Sequence, residues 1–211
     1  FFLGYMFGFF RGLFSKKPWK AFEKGWKGGV NEVKMWGGLF ATGSYMNHQS
    51  HRNFWTASWE LISRFTWQLP QTMIGHGYAQ FSGYAGQVDN VDYWGGATVM
   101  SGNNWGQKAV TLSSFIIGDR TISADPNNSV FQHEYGHYLQ SQSMGWGYLS
   151  RIGIPSLMSA DGSGEHKYQP HEQDANARAF LYFNRHVSGF YQTEAQYDTN
   201  IERGNSIGWN F

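Results

Sequence analysis

The residues best suited to chemistry lie in the run VFQHEYGHYLQ, Val130 to Gln140, where two histidines stand four apart with a glutamate directly after the first. On an α-helix, residues four apart share a face with Cβ atoms about 5–6 Å apart, so His133 and His137 can converge on one metal ion. Glu134 is rotated about 100° from His133 and would lie beside that ion, where a carboxylate can accept and pass on a proton. A chance occurrence has a probability of roughly 1 %, so coincidence is a poor explanation. Two buried, hydrogen-bonded histidines are the alternative, and a metal centre is favoured over them because a third ligand is available.

A third ligand is expected from another element, because catalytic metal sites commonly use three protein ligands and keep one position for water. The stretch PHEQDANARAF offers Glu172, with Ala175 and Ala179 on the same helical face. Small side chains at these positions would let this helix approach the two-histidine helix closely enough for a glutamate to reach the ion. Asp174 and His171 remain alternative ligands, since sequence does not fix the rotation about the helix axis.

Periodicity and turn residues predict the elements that must position these side chains, and their order is typical of an α+β domain. We expect a segment at residues 1–18 and a single domain at residues 19–211. The predicted elements are helices from Pro18 to Gly38, from Asn53 to Leu69, from Asp125 to Gln142 and from Pro170 to Val187, with short strands between Val88 and Asp119.

Several local features refine this prediction. The apolar residues of the Asn53 helix recur at steps of three or four and are expected to face the core. The strand region predicts one hairpin, with Gly95 and Gly96 marking a bulge or a close backbone approach. Gly136 costs about 1 kcal/mol of helix stability relative to alanine, which is plausible if another helix packs closely there.

The N-terminal stretch FFLGYMFGFFRGLF has glycines at positions 4, 8 and 12, a spacing that allows close helix contacts. At 14 residues it is too short to span a bilayer. We favour an aromatic anchor packed on the domain over a membrane-active segment. Residues 1–36 carry seven lysines and arginines against two glutamates, a net charge of +5, which leaves −4 for the remainder of a chain whose total is +1.

Composition limits the chemistry further. The chain of 211 residues has no cysteine, which excludes disulfides and thiolate ligands and leaves histidine, carboxylate and water as metal ligands. Its 27 glycines and 18 % aromatic residues predict many turns around a large aromatic core. No basic and aromatic surface typical of nucleic-acid binding stands out. His48 and His51 are more simply solvated loop residues than a second metal site.

The motif pair HEYGH and, 35 residues later, E-x-x-A-N resembles zincin metallopeptidases of the glutamate-ligand type, in particular ImmA/IrrE-like peptidases. The resemblance covers residues 125–187. It implies Zn²⁺ held by His133, His137 and Glu172, with Glu134 as general base. It also implies a zincin-like fold, in which a small, mostly antiparallel sheet packs against the two motif helices.

Most of the chain is similar to C-terminal domains of Rhs-type polymorphic toxin proteins, through the stretch between Trp67 and Met100 and the runs HEYGHYLQS and GIPSLMSA. This resemblance implies a bacterial toxin or effector, secreted or delivered into a target cell, that acts on a protein or peptide substrate. A cognate immunity protein is then an expected partner. Membrane contact is expected only through the N-terminal segment.

The residue that would stabilise a developing oxyanion is left open by the sequence. Tyr168, His171, Tyr182 and His186 are candidates, and spacing favours none of them. The first hypothesis is a zinc metallopeptidase with an extended substrate paired to the strand VTLSSFII. The alternative is a non-catalytic binding or membrane-perturbing domain that retains a structural metal site.

Overall fold

The computed structural model describes residues 1–40, 53–103, 109–159, 166–188 and 190, and shows an α+β architecture. Within these residues the chain forms seven α-helices and a four-stranded sheet. The helices are α1 (Phe2–Leu13), α2 (Ala21–Phe40), α3 (Phe54–Arg64), α4 (Leu69–Tyr84), α5 (Ser129–Met144), α6 (Ile154–Ser159) and α7 (Pro170–His186); the strands are β1 (Asn90–Trp94), β2 (Ala97–Asn103), β3 (Ala109–Leu112) and β4 (Phe115–Asp119).

Helices α1 and α2 form an antiparallel hairpin whose contact surface is made of backbone. A Cβ added to Gly4 would lie 2.3 Å from the carbonyl oxygen of Gly28, and one added to Gly8 would lie 2.2 Å from that of Lys24. The helix predicted from Pro18 is confirmed and stays continuous through its glycines because α1 packs against them. The segment packs on α2 as expected, both through backbone contacts at its glycines and through ring contacts of Phe1 with Trp26 and of Phe9 with Phe22. No helix among the described residues is long and apolar enough to cross a membrane.

Helix α3 departs from the prediction in length and orientation. Asn53 caps it, since its side chain accepts a hydrogen bond from the backbone N–H of Thr56, but the helix ends at Arg64 rather than at Leu69. The expected core-facing stripe is wrong: Trp55 and Trp59 are 77 % and 63 % exposed. The buried face is mostly polar instead: Glu60 and Arg64 form an ion pair on it, and Arg64 also donates to the carbonyl oxygens of Gly38 and Gly96.

The sheet has the strand order β1-β2-β4-β3 and is mixed. The β1–β2 and β3–β4 pairs are antiparallel, and β2 pairs with β4 in parallel. The single predicted hairpin is therefore wrong, because each β-type run folds into a hairpin of its own. Gly95 and Gly96, with φ of +54° and +89°, form the two-residue turn between β1 and β2 rather than a bulge. The expected close approach is confirmed, since a Cβ on Gly95 would lie 2.6 Å from the hydroxyl of Tyr135.

Helices α5 and α7 pack against each other, and α5 lies on β3 and β4. The core beneath them is aromatic: Trp94 packs against Phe131, Tyr135 and Phe183 with ring centroids 5.2–5.6 Å apart. Helix α7 begins at Pro170 as predicted. Helix α5 begins later than predicted, because Asn128, and not Asp125, accepts the capping hydrogen bond from the N–H of Phe131.

Candidate metal centre

Helix α5 places His133 and His137 side by side, and α7 brings Glu172 to both. The Oε2 atom of Glu172 lies 3.1 Å from Nε2 of His133 and 2.9 Å from Nε2 of His137. One ligand atom from each of the three residues lies within 4.8 Å of the others. Ligand atoms around a tetrahedral zinc ion are separated by about 3.3 Å, given bonds of about 2.0–2.1 Å. The three side chains could therefore hold a metal ion.

The close approach of α5 and α7 depends on Gly136. A Cβ at this position would lie 2.0 Å from the backbone oxygen of Ala175 and 2.5 Å from its carbonyl carbon. The predicted role of small residues at this helix contact is thus confirmed for Gly136 and Ala175. Because Glu172 is one turn before Ala175 on the same face of α7, this contact sets the distance between its carboxylate and the histidines.

Their contacts distinguish the alternative ligands, Asp174 and His171, from Glu172. Asp174 accepts hydrogen bonds from Nε of Arg178 at 2.7 Å and from Nε2 of Gln140 at 2.8 Å, so its carboxylate lies among polar groups on the outer side of the contact. Nε2 of His171 lies 3.3 Å from Oε1 of Glu172, whereas His133 and His137 contact the other carboxylate oxygen, Oε2. Glu172 is the ligand candidate that contacts both histidines.

Two amides hold the imidazole rings from behind. Oδ1 of Asn176 lies 2.7 Å from Nδ1 of His133, and Oε1 of Gln140 lies 2.8 Å from Nδ1 of His137. The orientation of the Gln140 amide follows from its other contacts, because its Nε2 donates to the carbonyl oxygen of His171 and to Asp174. Nδ1 of His137 therefore carries hydrogen, and Nε2 of both histidines faces Glu172. Metal-binding histidines commonly have this arrangement.

The electrostatics of this cluster favour a cation. Burial by itself lowers the pKa of His133, but the hydrogen bond and the negative charge of Glu172 outweigh it and raise that pKa to about 10. Burial likewise raises the pKa of Glu172, and hydrogen bonds from His133 and His137 overcome this and hold it well below its ordinary value. Glu172 is thus an ionised, fully buried carboxylate balanced by a proton on the histidines. A metal ion bound there would displace that proton.

Glu134 follows His133 on α5 and lies against the sheet. Its side chain is 6 % exposed, and its Oε2 accepts a hydrogen bond of 2.6 Å from the hydroxyl of Thr111 on β3. Among the described strands β3 forms an edge of the sheet, next to the helix that carries the histidines. The predicted substrate strand VTLSSFII is only partly at this edge, because Phe115 to Ile117 belong to the interior strand β4.

Two of the oxyanion candidates lie elsewhere. Tyr182 packs against Trp94 and Tyr135 in the aromatic core, and His186 packs against Tyr182. Both line a groove of about 840 Å³ between α3 and the α5–α7 pair, and neither His133, His137 nor Glu172 contributes to its lining. Tyr168 is 50 % exposed.

Sequence reasoning missed two residues near the cluster. Nε2 of His166 lies 3.6 Å from Oε1 of Glu172, and its Nδ1 is hydrogen-bonded to Ser159. Tyr148 is buried and donates its hydroxyl to the backbone oxygen of Thr111; burial, with the charges of Glu134 and Glu172, raises its pKa well above the usual value. Neither residue belongs to a recognisable motif, so no local signal pointed to them. His48 and His51 lie outside the described residues.

Buried polar atoms without a hydrogen-bond partner support a ligand site here. Oε1 of Glu172 and Nε2 of His171 are both in this state: they lie 3.3 Å apart without forming a hydrogen bond to each other. The buried carboxylate of Glu172 has two imidazoles at one oxygen and no hydrogen-bond donor at the other. Such a carboxylate is a suitable ligand for a divalent cation. Two nitrogens and a carboxylate accept several such ions, so the donor set alone does not select one.

Comparisons with protein-family models, with curated proteins and with solved structures found no match to this chain. Function is therefore inferred from the geometry of the cluster formed by His133, His137 and Glu172 and from the residues around it.

Proposed function

We propose that this chain is a zinc-dependent metallopeptidase. The observation that carries the proposal is the convergence of His133, His137 and Glu172 from two helices, with Glu134 at the next position of the first helix. Zinc, when bound by these three residues, supplies a Lewis acid that lowers the pKa of water and polarises a carbonyl group. The donor set of two imidazoles and one glutamate is one that catalytic zinc commonly uses.

In this proposal Glu134 moves the protons. Its carboxylate takes a proton from the attacking water and later passes it to the leaving amine. The hydroxyl of Thr111 donates to Oε2 of Glu134, which fixes the orientation of the carboxylate and leaves Oε1 for the water. Asn176 and Gln140 hold the two imidazole rings so that Nε2 of each is available as a ligand.

The substrate in this proposal is an extended peptide that pairs with β3. Thr111 lies on that strand and contacts Glu134, so a peptide added along β3 would pass the proposed base. His166 and His171 are the candidates for donating to the carbonyl oxygen as negative charge develops on it. His166 is better placed to reach a substrate, because its side chain is 33 % exposed whereas that of His171 is 12 % exposed.

A role as a bacterial toxin or effector that is delivered into a target cell, with an immunity protein as partner, is also part of the proposal. It rests on the resemblance of the sequence to Rhs-type toxin domains. The metal chemistry does not depend on it.

The test is a comparison of the wild type with Glu134→Gln and Glu23→Gln. Each protein is stripped with a chelator, reloaded with zinc, analysed for metal content and incubated with a mixture of unfolded proteins. We expect one zinc per chain in all three. Glu134→Gln should lose at least about 100-fold in hydrolysis, because an amide can still accept from Thr111 but cannot take a proton. Glu23 is exposed on α2, so its variant should match the wild type.

The two measurements separate the parts of the proposal. Wild-type protein that holds zinc but cleaves nothing would leave the metal site standing and contradict peptidase activity. Full hydrolysis by Glu134→Gln would contradict the proposed role of the base, and a failure of the wild type to retain zinc would contradict the site itself.

A further inference from the structure

Three of the four most exposed aromatic rings of the N-terminal hairpin lie at its tip, which comprises the connection after α1 and the first turn of α2, residues 14–24; the fourth, Phe2, lies at the other end. Phe14, Trp19 and Phe22 are 87 %, 75 % and 70 % exposed. Large apolar side chains are rarely this exposed together unless the surface contacts something else. The tip therefore needs a partner.

The outward position of these rings follows from the glycines. Gly12 contacts Ala21 so closely that a Cβ would lie 2.3 Å from its Cα, and Gly8 is equally close to Lys24. Helices that meet backbone to backbone leave no space between them for large side chains. Some rings of α1 flank this contact, such as Phe9 against Phe22 of α2, and the others lie on its outer faces. The solvent side of α1 is almost entirely apolar, with Phe2, Leu3, Phe10 and Leu13 among the exposed residues. A helix apolar on both sides is typical of a buried or membrane-associated element.

Lysines surround the exposed rings. Lys16, Lys17 and Lys20 lie in the connection between the helices, and Lys24 lies on the first turn of α2. The ion pair of Lys20 with Glu23 is 3.5 Å long and exposed, so it contributes little. Within the described part of the chain, no ion pair involves Lys16, Lys17 or Lys24, whereas Lys27 and Lys34, farther along α2, pair with aspartates of the sheet region.

We propose that this hairpin tip docks on the surface of an anionic lipid bilayer, with Phe14, Trp19 and Phe22 in the interface and the lysines at the headgroups. Tryptophan and phenylalanine beside lysines are typical of interfacial helices. The cores of protein interfaces are instead depleted in lysine, which argues against a protein partner. The tip lies at the end of α1, whose 12 residues are fewer than the about 20 needed to span a bilayer, so the proposed contact is with one surface of the membrane.

The experiment measures binding of the whole chain to vesicles by co-sedimentation. The vesicles are made of phosphatidylcholine alone or with added phosphatidylglycerol, at low and at high salt. We expect binding to the anionic vesicles, weaker binding at high salt, and no change when a chelator is added, since the tip contributes none of the three candidate metal ligands. Each lysine at the surface contributes about a fivefold factor, so the triple change Lys16→Gln, Lys17→Gln, Lys24→Gln should weaken binding about 100-fold.

A second variant removes the rings. Phe14→Ser, Trp19→Ser and Phe22→Ser together should weaken binding at least tenfold without loss of folding, since all three side chains are exposed. The matched control changes three exposed rings of other helices to serine, Trp55, Trp59 and Phe81 (77 %, 63 % and 66 % exposed), and should bind as the wild type does. Circular dichroism confirms that each variant is folded.

Three results would overturn the proposal. They are failure of the wild type to bind anionic vesicles, binding that neither tip variant weakens, and equal weakening by the control variant. If the ring variant instead changes the sedimentation of the protein in the absence of vesicles, a second copy of the chain covers the tip and the lipid proposal is wrong.

Discussion

Replacing Gly136 with alanine would place a methyl group where α5 and α7 touch. The new Cβ would lie 2.0 Å from the carbonyl oxygen of Ala175, whereas ordinary contacts begin at about 3.4 Å. Because the obstructing atoms are backbone, no side-chain rotation relieves the overlap, and α7 must move away by about 1.4 Å. Glu172 would move with it, from hydrogen-bonding distance of the histidines to a position where one ion cannot reach all three ligands with bonds of about 2.0–2.1 Å.

The expected magnitudes differ for metal binding and for stability. Overpacking lowers the free energy of unfolding by about 1–3 kcal/mol, and the higher helix propensity of alanine offsets about 1 kcal/mol of this loss. The free energy of unfolding of the metal-free protein should therefore fall by no more than about 2 kcal/mol. The zinc affinity should fall at least tenfold, since one of three ligands is displaced.

The assay is competition for zinc against a chelating dye, together with thermal unfolding in the absence of metal. Gly77→Ala is the matched control, because Gly77 lies in α4 and a Cβ there meets nothing within 4 Å. That variant should keep its zinc affinity and gain about 1 kcal/mol in stability. Wild-type zinc affinity in Gly136→Ala would refute the argument that this helix contact sets the ligand geometry.

Leucine in place of either amide that holds an imidazole ring, in Gln140→Leu or Asn176→Leu, should reduce zinc affinity about 10–100-fold. A change of less than about twofold in the same competition assay would contradict the positioning role. The metal-free protein should lose stability as pH rises from 6.5 to about 10, because the pKa of His133 is raised in the folded state and its contribution, complete below pH 6.5, disappears as the proton is lost. Thermal unfolding with chelator present measures this, and a His133→Asn variant should show a smaller dependence. Gly96→Ala should lower the free energy of unfolding by at least about 1 kcal/mol, because φ is +89° and a Cβ would lie 2.5 Å from the Tyr138 hydroxyl; an unchanged melting temperature would show that the turn adapts.

The geometry of the ligand cluster was predictable because it depends on short-range periodicity. The spacing of His133 and His137 fixes their common helical face, and the small residues after Glu172 indicate which face of the second helix can approach. The choice of Glu172 over Asp174 required the structure, since rotation of α7 depends on the contact between Gly136 and Ala175. His166 and Tyr148 reach the cluster from segments without regular patterns.

The orientation of α3 was not predictable from its apolar stripe. A periodic pattern shows that a helix has an apolar and a polar face. Which face is buried depends on the hydrogen-bond, ion-pair and packing partners that the rest of the fold supplies. Here Arg64 pairs with Glu60 one turn earlier on the same helix and donates to the carbonyl oxygens of Gly38 and Gly96, which come from two other places in the chain. These long-range contacts outweigh the burial of tryptophans, and local sequence does not contain them.

The sheet topology was not predictable either, because the turn between β3 and β4 also depends on a long-range contact. The turn between β3 and β4 places Ser113 at φ 56°, a conformation usually signalled by glycine. A hydrogen bond of 2.7 Å from the Thr72 hydroxyl to that of Ser113 stabilises it, and Thr72 comes from α4. The turn is thus supported by a residue about 40 positions away, so the run AVTLSSFIIG resembles one strand.

The division of the cluster between α5 and α7 has a consequence for folding. A metal held by His133, His137 and Glu172 joins two segments 35 residues apart in a chain that contains no cysteine. It would act as a reversible cross-link, stabilising the folded state by about 2.7 kcal/mol when free metal exceeds the dissociation constant 100-fold. The free energy of unfolding would then depend on the concentration of free metal around the protein. In a compartment poor in that metal, both the stability of the fold and the proposed activity would decrease.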